Sequence, residues 1–524
     1  MPAQHTRRAV LGTSIALAGT GVLAACSGGG GMPDHSGMHH GGPSGTTAPE
    51  GYVTPDGPEV AAAEKRRGSG PVRKVALTAT PSRLDLGGGR TVSSWAYGDR
   101  LPGKEVRVTA GDTLALTLAN HLPQPTSLHW HGLALRNDMD GVPGLTQRAV
   151  EPGADFTYRF AVPSPGTYWF HPHSGVQLDR GLYAPLIVED PKEPLSYDKE
   201  WVVVLDDWVD GVDGSTPDAV LKELTGGAGH SGHAMPAPSP SGAGDDGPSR
   251  MLMGATSELL GGDAGDVGYP YYLVNGRVPE DPSVFSAKAG DRIRLRIVNA
   301  GGDTAFRVAL GGHRMTVTHT DGFPVRHTTT DALLLGMGER YDVLVTAGDG
   351  VFPLTALAEG KKASARALLR TGSGAAPAAS VQPKELDGEL VTADRLVPDA
   401  SVALAAKEPD RTVRIRLTGS MAAYDWAFDG KPYSADQRHP VQAGERVRLE
   451  FRNATSMWHP VHLHGHTFAL AGEASGARKD TAVVLPRQSL TVDFDADNPG
   501  LWMLHCHNLY HAEAGMMTVV GYRR

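Results

Sequence analysis

The chain contains 524 residues, of which 49 are Lys or Arg and 58 are Asp or Glu, giving a formal net charge of −9. It has 66 Gly and 38 Pro but only 6% aromatic residues, which favours a turn-rich β protein. No basic stripe or aromatic RNA-binding motif accompanies this acidic balance, so nucleic acid is not an expected partner. With only two Cys, a disulfide framework is not expected either.

The first 26 residues have the pattern of an export signal. A twin arginine, Arg7-Arg8, is followed by an apolar stretch that ends in Leu23-Ala24-Ala25-Cys26, a tetrapeptide that resembles a bacterial lipobox. We expect residues 1–26 to be a twin-arginine lipoprotein signal peptide, with Cys26 carrying the lipid. A plain secretory signal or a short membrane anchor is the alternative. The lipoprotein prediction puts the protein outside the cytoplasm, attached to the cell membrane or envelope through this anchor only.

Residues 27–70 are rich in Gly, Pro, Ser, Ala and charged residues and have no periodic apolar pattern. This composition predicts a flexible tether. Residues 32–40 contain two Met and three His, which could hold copper loosely or could simply belong to a low-complexity linker.

From about residue 71 the chain consists of short runs that alternate apolar and polar residues, as β-strands do. One unit, an Ala-Gly-Asp/Glu turn followed by an alternating strand that ends in Asn, starts at Ala110, Ala289 and Ala443. Its spacing fits one sandwich domain per copy, so we predict an all-β monomer of three consecutive β-sandwich domains. The predicted segments are domain 1 at 71–190, domain 2 at 195–372 with a low-complexity insert at about 226–253, a connector at 373–400, and domain 3 at 400–524.

Four histidine clusters dominate the rest of the sequence. On an extended backbone, the two imidazoles of His-x-His lie on one face, about 7 Å apart by strand rise. Pairs from several strands can therefore converge on one polynuclear metal site. The clusters are His129-Trp130-His131, His171-Pro172-His173, His459-Pro460-Val461-His462-Leu463-His464, and His505-Cys506-His507.

The last cluster also starts a second pattern. Cys506 is followed by His511 five residues later and by Met516 ten residues later. A blue-copper centre is built from one Cys, one Met and two His, so only a second His is missing from this stretch. If residues 505–507 are extended, the thiol of Cys506 points to one face and both flanking imidazoles to the other. One strand could then serve two metal sites.

With these motifs the sequence resembles the three-domain bacterial multicopper oxidases of the laccase and cuprous oxidase branch. The resemblance covers residues 71–524 and includes Gly338-Glu339-Arg340-Tyr341-Asp342-Val343. It implies cupredoxin-like Greek-key domains and four copper ions. One-electron oxidation of a reductant at a type 1 copper would be coupled to reduction of O2 to water at a trinuclear cluster.

The resemblance also implies which residue binds which copper. His459, Cys506 and His511 would hold the type 1 copper with Met516 axial, and His129 and His462 would hold the type 2 copper. The ligands of the type 3 pair would be His131, His171, His173, His464, His505 and His507.

Oxygen reduction consumes protons, so an acid is needed near the cluster. Asp140 matches the acidic residue of the family, although an Asp before a Gly also fits a β-turn. Some cuprous oxidases place a second acid directly after the last type 1 His, where this chain has Ala512. The nearest acid is Glu513, and on an extended segment it would point the other way.

The sequence leaves two classes of reducing substrate as alternatives. Met457 matches a methionine beside the type 1 copper of enzymes that oxidise Cu(I), but Thr455 replaces their Asp and domain 3 lacks their long Met-rich segment. A laccase-type oxidase of phenols, aromatic amines or Fe(II) is the alternative. A copper nitrite reductase, a copper store and a metal-free scaffold of the same fold are the remaining classes.

Overall fold

The computed structural model describes residues 50–226, 247–471 and 476–524. The predicted signal peptide, Cys26, the Met- and His-containing part of the tether and most of the insert lie outside these residues. The described chain forms six β-sheets, two for each predicted domain. None of its helices is long and apolar enough to cross a membrane.

The segment before the first domain is partly helical, so the prediction of a tether throughout 27–70 is wrong for its last part. Helix α1 (Pro58–Arg67) begins with a Pro, which suits a first helical turn, and buries Val60 and Ala63. Glu64 on this helix accepts a hydrogen bond from the Ala161 amide at 2.6 Å, and Arg67 donates one to Asn498 at 2.7 Å. The helix therefore contacts both the first and the third domain.

The first domain is a sandwich of two four-stranded sheets, ordered β2-β1-β4-β6 and β3-β8-β7-β5. Trp130 of the second sheet packs against Phe160 of the first, with ring centroids 5.0 Å apart, so the core lies between the sheets. A 3-10 turn at Asn137–Met139 and another at Gly175–Arg180 follow the histidine strands. The strands are β1 (Val72–Gly87), β2 (Arg90–Tyr97), β3 (Val106–Thr109), β4 (Thr113–Asn120), β5 (His129–His131), β6 (Asp155–Ala161), β7 (Gly166–His171) and β8 (Ala184–Glu189).

The middle domain has two six-stranded sheets, ordered β10-β9-β12-β17-β14-β15 and β11-β19-β18-β13-β16-β20, with helix α2 (Pro217–Gly226). The predicted connector is not a plain linker, because its strand β20 pairs with β16 and adds an edge to this domain. It also contains 3-10 turns at Lys384–Asp387 and Ala393–Arg395. The strands are β9 (Lys199–Trp208), β10 (Tyr271–Val274), β11 (Ser283–Ser286), β12 (Arg292–Asn299), β13 (Phe306–Leu310), β14 (Met315–Thr320), β15 (Phe323–Thr330), β16 (Ala332–Leu335), β17 (Arg340–Thr346), β18 (Val351–Ala358), β19 (Ala363–Arg370) and β20 (Leu390–Val391).

The third domain pairs a six-stranded sheet, β22-β21-β24-β29-β26-β27, with a five-stranded sheet, β23-β31-β30-β25-β28. A short helix, α3 (Leu509–Glu513), connects the last two strands. The strands are β21 (Arg411–Thr418), β22 (Ala427–Phe428), β23 (Arg438–Val441), β24 (Arg446–Asn453), β25 (His459–Leu463), β26 (Phe468–Leu470), β27 (Arg478–Lys479), β28 (Thr481–Val484), β29 (Ser489–Asp495), β30 (Leu501–Cys506) and β31 (Met517–Tyr522).

The repeated sequence unit has the same structural role in all three domains, which confirms the fold predicted from it. Its strand is β4, β12 or β24, and in each case it pairs in parallel with the first strand of its domain. The final residue, Asn120, Asn299 or Asn453, is buried; its amide nitrogen donates to two backbone carbonyls and its oxygen accepts a backbone amide two residues on. The Asn thus satisfies the backbone where the chain leaves the sheet.

Candidate metal centres

Two pairs of strands carry the histidine clusters. In the first domain, β5 pairs with β7 so that His129 lies opposite His171. In the third domain, β25 pairs with β30 so that His462 lies opposite His505. Because Trp130 points into the core of the first sandwich, its two neighbours in the strand point out of it, as the alternation predicts. The histidine faces of the first and third domains meet at this point.

Eight imidazoles come together between these strands. Two groups of three have ligand nitrogens that all lie within 4.8 Å of one another, and His129 and His462 belong to a further such group with His131. Each of the two threefold groups combines residues from the first and third domains, so neither domain alone completes the cluster. The two groups are His131, His171 and His507, and His173, His464 and His505.

The donor atoms of the cluster fit metal ions. Within the described residues, seven of these histidines have a buried ring nitrogen without any hydrogen-bond partner, which is costly unless a ligand satisfies it. Burial holds the pKa of His131, His171, His173, His464, His505 and His507 well below its usual range and lowers that of His462. Neutral imidazoles with free lone pairs are the form that binds metals. The unpartnered nitrogens are Nε2 of His129, His171, His462, His464 and His505, Nδ1 of His131, and both nitrogens of His507.

Asp140 orients two of these rings. Its backbone carbonyl accepts a hydrogen bond from His129 Nδ1 at 2.9 Å, and its carboxylate Oδ2 accepts one from His464 Nδ1 at 2.9 Å. The Nε2 atoms of both rings are therefore free to bind a metal. The following residue must be Gly, because a Cβ at Gly141 would lie 1.9 Å from the carbonyl oxygen of Leu128.

Asp480 orients two further rings of the cluster. Its carboxylate Oδ1 lies 3.0 Å from His131 Nε2, and its backbone carbonyl lies 2.9 Å from His462 Nδ1. Burial alone would raise the pKa of Asp480, but the Arg340 guanidinium and the hydrogen bonds from both histidines hold it well below its usual range. Asp480 is therefore an ionised acceptor.

A second group of donors surrounds Cys506. The Cys506 Sγ atom is 3.6 Å from His459 Nδ1 and 3.8 Å from His511 Nδ1, and these two nitrogens are 3.1 Å apart. All three side chains are completely buried. A thiolate with two imidazoles is the trigonal donor set of a blue-copper site. Met516 is also buried, and its backbone carbonyl accepts the Cys506 amide at 3.0 Å.

The outer nitrogens of these two histidines are held by residues that sequence reasoning did not assign. Thr455 Oγ1 lies 2.9 Å from His459 Nε2, which gives this residue a role in place of the family's Asp. Asp266 Oδ2 of the middle domain lies 2.9 Å from His511 Nε2 and also accepts the Tyr424 hydroxyl at 2.8 Å. Asp266 is 245 residues from His511, and no motif in the sequence marks it.

The expectation that Glu513 points away because its segment is extended is wrong. Residues 509–513 form helix α3, whose N-cap Asn508 accepts hydrogen bonds from the amides of Tyr510 and His511. In a helix, neighbouring side chains differ by about 100° in direction rather than reversing. Ala512 and Glu513 both line a cavity of about 20 Å³ together with His173, His505 and His507, and burial raises the pKa of Glu513 to about 7.

Met457, which matches a substrate methionine in sequence, has a side chain that is only 1% exposed and packs in the hydrophobic core. Thr455 Oγ1 accepts its amide, which shows that the loop before β25 serves to hold His459. His466 has a structural role: its ring stacks on Tyr522 and its Nε2 is 2.6 Å from the Tyr522 hydroxyl.

Comparison with known proteins identifies the family. Models of multicopper oxidase domains match residues 78–193, 200–374 and 406–523. The chain belongs to the multicopper oxidases. As a member of this family, it is a copper-dependent oxidoreductase that uses O2 and binds four copper ions.

Relatives of the oxidase come from bacteria and fungi. Multicopper oxidase MmcO of Mycobacterium tuberculosis is 49% identical over 474 residues, which cover 88% of this chain and 89% of the relative. Copper resistance protein A of Escherichia coli is 29% identical, covering 85% of this chain and 93% of the relative. The crystal structure of a laccase from Botrytis aclada superimposes with a TM-score of 0.70 at 25% identity, covering 87% of this chain and 88% of the laccase. These likenesses confirm three cupredoxin-like sandwich domains.

Proposed function

We propose that this oxidase oxidises Cu(I) and thereby contributes to copper tolerance. Similarity to copper resistance protein A, which covers 85% of this chain and 93% of that relative, supports this. The observation that carries the proposal is Asp266. Its hydrogen bond to His511 Nε2 places a negative charge on the imidazole edge that faces away from Cys506. A negative charge at this edge favours a cationic donor over a neutral phenol.

We assign the copper ligands as the resemblance implied. Cys506, His459 and His511, with Met516 axial, would hold the type 1 copper, and His129 and His462 the type 2 copper. The two threefold histidine groups correspond to the type 3 pair. The unpartnered, buried nitrogens of seven of these histidines support the assignment, because a bound metal would satisfy them.

The bound copper ions supply one-electron oxidation of the reductant and four-electron reduction of O2 to two waters. The protein connects the two donor groups and supplies protons for the reduction of O2. His505-Cys506-His507 joins the two donor groups through three consecutive residues, so a short covalent path runs from the thiolate to the cluster. Asp140 carries the catalytic acid role in this proposal, because its Oδ1 is buried beside the cluster and makes no hydrogen bond among the described residues. A proton held there would face the imidazoles.

Oxygen uptake with Cu(I) and with a simple phenol as competing reductants tests the proposed function. Asp266→Asn removes the charge but keeps the size, so KM for Cu(I) should rise while KM for the phenol changes little. Asp210→Asn is a matched control, since Asp210 is equally buried but pairs with Arg180 and contacts no proposed ligand. If the phenol is preferred and Asp266→Asn affects both reductants alike, the protein is a laccase.

We also propose that the oxidase is exported by the twin-arginine route, works as a monomer and is held at the cell envelope by a lipid on Cys26. The twin arginine Arg7-Arg8 supports the export route, and Leu23-Ala24-Ala25-Cys26 supports the lipid on Cys26. Mass spectrometry of the mature N-terminus tests it. A diacylglyceryl modification is expected on Cys26, and Cys26→Ser should release the protein from the membrane fraction; an unmodified N-terminus elsewhere would contradict the proposal.

A further inference from the structure

The middle domain contributes none of the proposed ligands, yet its Gly338 lies directly against the cluster. Gly338 is so close that a Cβ there would lie 2.9 Å from His131 Cε1 and 3.1 Å from His507 Cδ2. Two residues further on, the Arg340 guanidinium donates two parallel hydrogen bonds to Asp480, both 2.7 Å long. Arg340 and Asp480 are both completely buried.

We propose that Arg340 and Asp480 form a positioning clamp that holds His131 and His462 with their coordinating nitrogens facing the copper cluster. This inference rests on the proposed ligand assignment. It gives the middle domain a specific part in building a site made from the other two domains.

The hydrogen-bond chemistry of Asp480 sets the tautomer of each ring. A carboxylate oxygen and a carbonyl oxygen only accept, so His131 Nε2 and His462 Nδ1 must both carry the hydrogen. The lone pairs are then on His131 Nδ1 and His462 Nε2, the atoms that have no other partner. Thr481 Oγ1 lies 3.0 Å from His131 Nε2 and 3.1 Å from His462 Nδ1. Its hydroxyl donates a hydrogen bond to Asp480 Oδ1. The two rings stack with centroids 3.8 Å apart and planes 11° from parallel.

Arg340 keeps Asp480 in this role. A buried carboxylate is unstable without a partner, and the planar guanidinium meets both of its oxygens at once, which an ammonium group cannot do. The Arg340 Nε also donates to the carbonyl of Thr167, four residues before His171 on the same segment of the first domain. All three domains therefore meet at one guanidinium.

The backbone around the pair is fixed by a second carboxylate. Asp321 accepts the amide of Arg340 at 2.9 Å through Oδ1 and the amides of Asp480 and Thr481 at 3.2 and 3.3 Å through Oδ2. Lys479 balances its charge, with Nζ 3.1 Å from Asp321 and 3.0 Å from Glu339. The clamp is thus rigid on both sides of the domain boundary.

The test compares Arg340→Lys with Arg294→Lys in the full-length, copper-loaded protein. Arg294 is a matched control because it is buried in the same domain and forms an ion pair with Asp342, on the same strand as Arg340, but contacts no proposed ligand. The readouts are copper per chain after dialysis against a chelator, the EPR signal of the type 2 copper, and the blue absorption band. The blue band serves as an internal reference, since neither variant touches Cys506 or its partners.

We expect Arg340→Lys to weaken copper binding at the cluster by about 10- to 100-fold and to change the type 2 EPR signal, while the blue band stays. Arg294→Lys should keep the copper and both signals even if it lowers the melting temperature. Asp480→Asn keeps the size of the side chain and should give the same result as Arg340→Lys. If Arg340→Lys does not fold, Asp480→Asn is the variant that tests the clamp. A folded Arg340→Lys protein with wild-type copper content and EPR signal, or equal losses in both arginine variants, would overturn the clamp. Absence of blue and type 2 signals from the wild-type protein would instead contradict the proposed function.

Discussion

Asp140 and Asp480 make the same pair of contacts with the cluster. Each uses its backbone carbonyl to hold a histidine of its own domain and its carboxylate to hold a histidine of the other domain. In both cases the two rings held by one aspartate stack on each other across the domain boundary: His129 stacks on His464, and His131 stacks on His462.

The two aspartates differ in their charge partners. Asp480 has both oxygens tied to Arg340, whereas no Lys or Arg pairs with Asp140 in the parts of the chain that the structure describes. A carboxylate with both oxygens tied to a guanidinium is held as a hydrogen-bond acceptor. Asp140 positions two rings as Asp480 does but has no such tie, which supports the acid role proposed for it.

Asp140→Asn should therefore slow oxygen reduction while leaving the metal sites in place. An amide can still accept from His464 Nδ1 but cannot donate and regain a proton, and loss of general acid catalysis typically costs about 10²- to 10⁴-fold in rate. Steady-state oxygen uptake and copper content check this. Asp138→Asn is the control, because Asp138 only pairs with Arg136 beside it. Equal rates for Asp140→Asn and the wild type would remove Asp140 from the proton path.

Cys506→Ser should abolish the blue band and turnover with either reductant. A serine hydroxyl is a hard, weakly acidic ligand and does not replace a thiolate at copper. The eight histidines of the cluster are unchanged in this variant, so its type 2 EPR signal should remain. Absorption, EPR and oxygen uptake on the same sample check the result, and retained turnover would contradict the assignment of Cys506 as the electron entry site.

Much of the fold could be predicted because it depends on local periodicity, whereas the ligand assignment came from the resemblance to a family. Strand alternation alone places His129 and His131 on one face, opposite Trp130, and the repeated strand ending in Asn marks three sandwiches. The tautomers could not be predicted in this way. They depend on pairs such as Arg340 with Asp480 and Asp266 with His511, which are 140 and 245 residues apart in sequence and meet only because the domains pack together.

The errors in the prediction have local causes. Helix α1 buries only Val60 and Ala63, so its apolar pattern is too sparse to stand out from a charged tether. Glu513 was misplaced because the helix that carries it depends on a cap from Asn508 rather than on apolar periodicity. The likeness of Met457 to a substrate-binding methionine gave no indication that its side chain is buried.

Helix α1 should contribute measurably to the stability of the whole chain, because it contacts two domains. Val60 is only 1% exposed, and Val60→Ala leaves a small cavity that should cost about 1 to 3 kcal/mol in the free energy of unfolding. Lys65→Ala on the exposed side of the same helix is the control and should change little. Denaturant unfolding of the copper-free protein measures both. If the two variants are equally stable, α1 is only loosely attached.

The free energy of unfolding of the oxidase should decrease as the pH is lowered, over a range set in part by the pKa of His319. Burial is the main cause that lowers the pKa of this ring to about 4, and Arg294 adds to it although Asp342 opposes it. The unfolded chain therefore binds a proton below about pH 6.5 that the folded chain does not bind until about pH 4. As pH falls through this range the free energy of unfolding should drop by on the order of 3 kcal/mol, and His319→Gln should remove this part of the drop. Unfolding curves of the copper-free protein between pH 7 and 4 check the difference, with His327→Gln on the exposed neighbouring strand as the control. Parallel pH profiles for the wild type and His319→Gln would show that His319 does not titrate in this window.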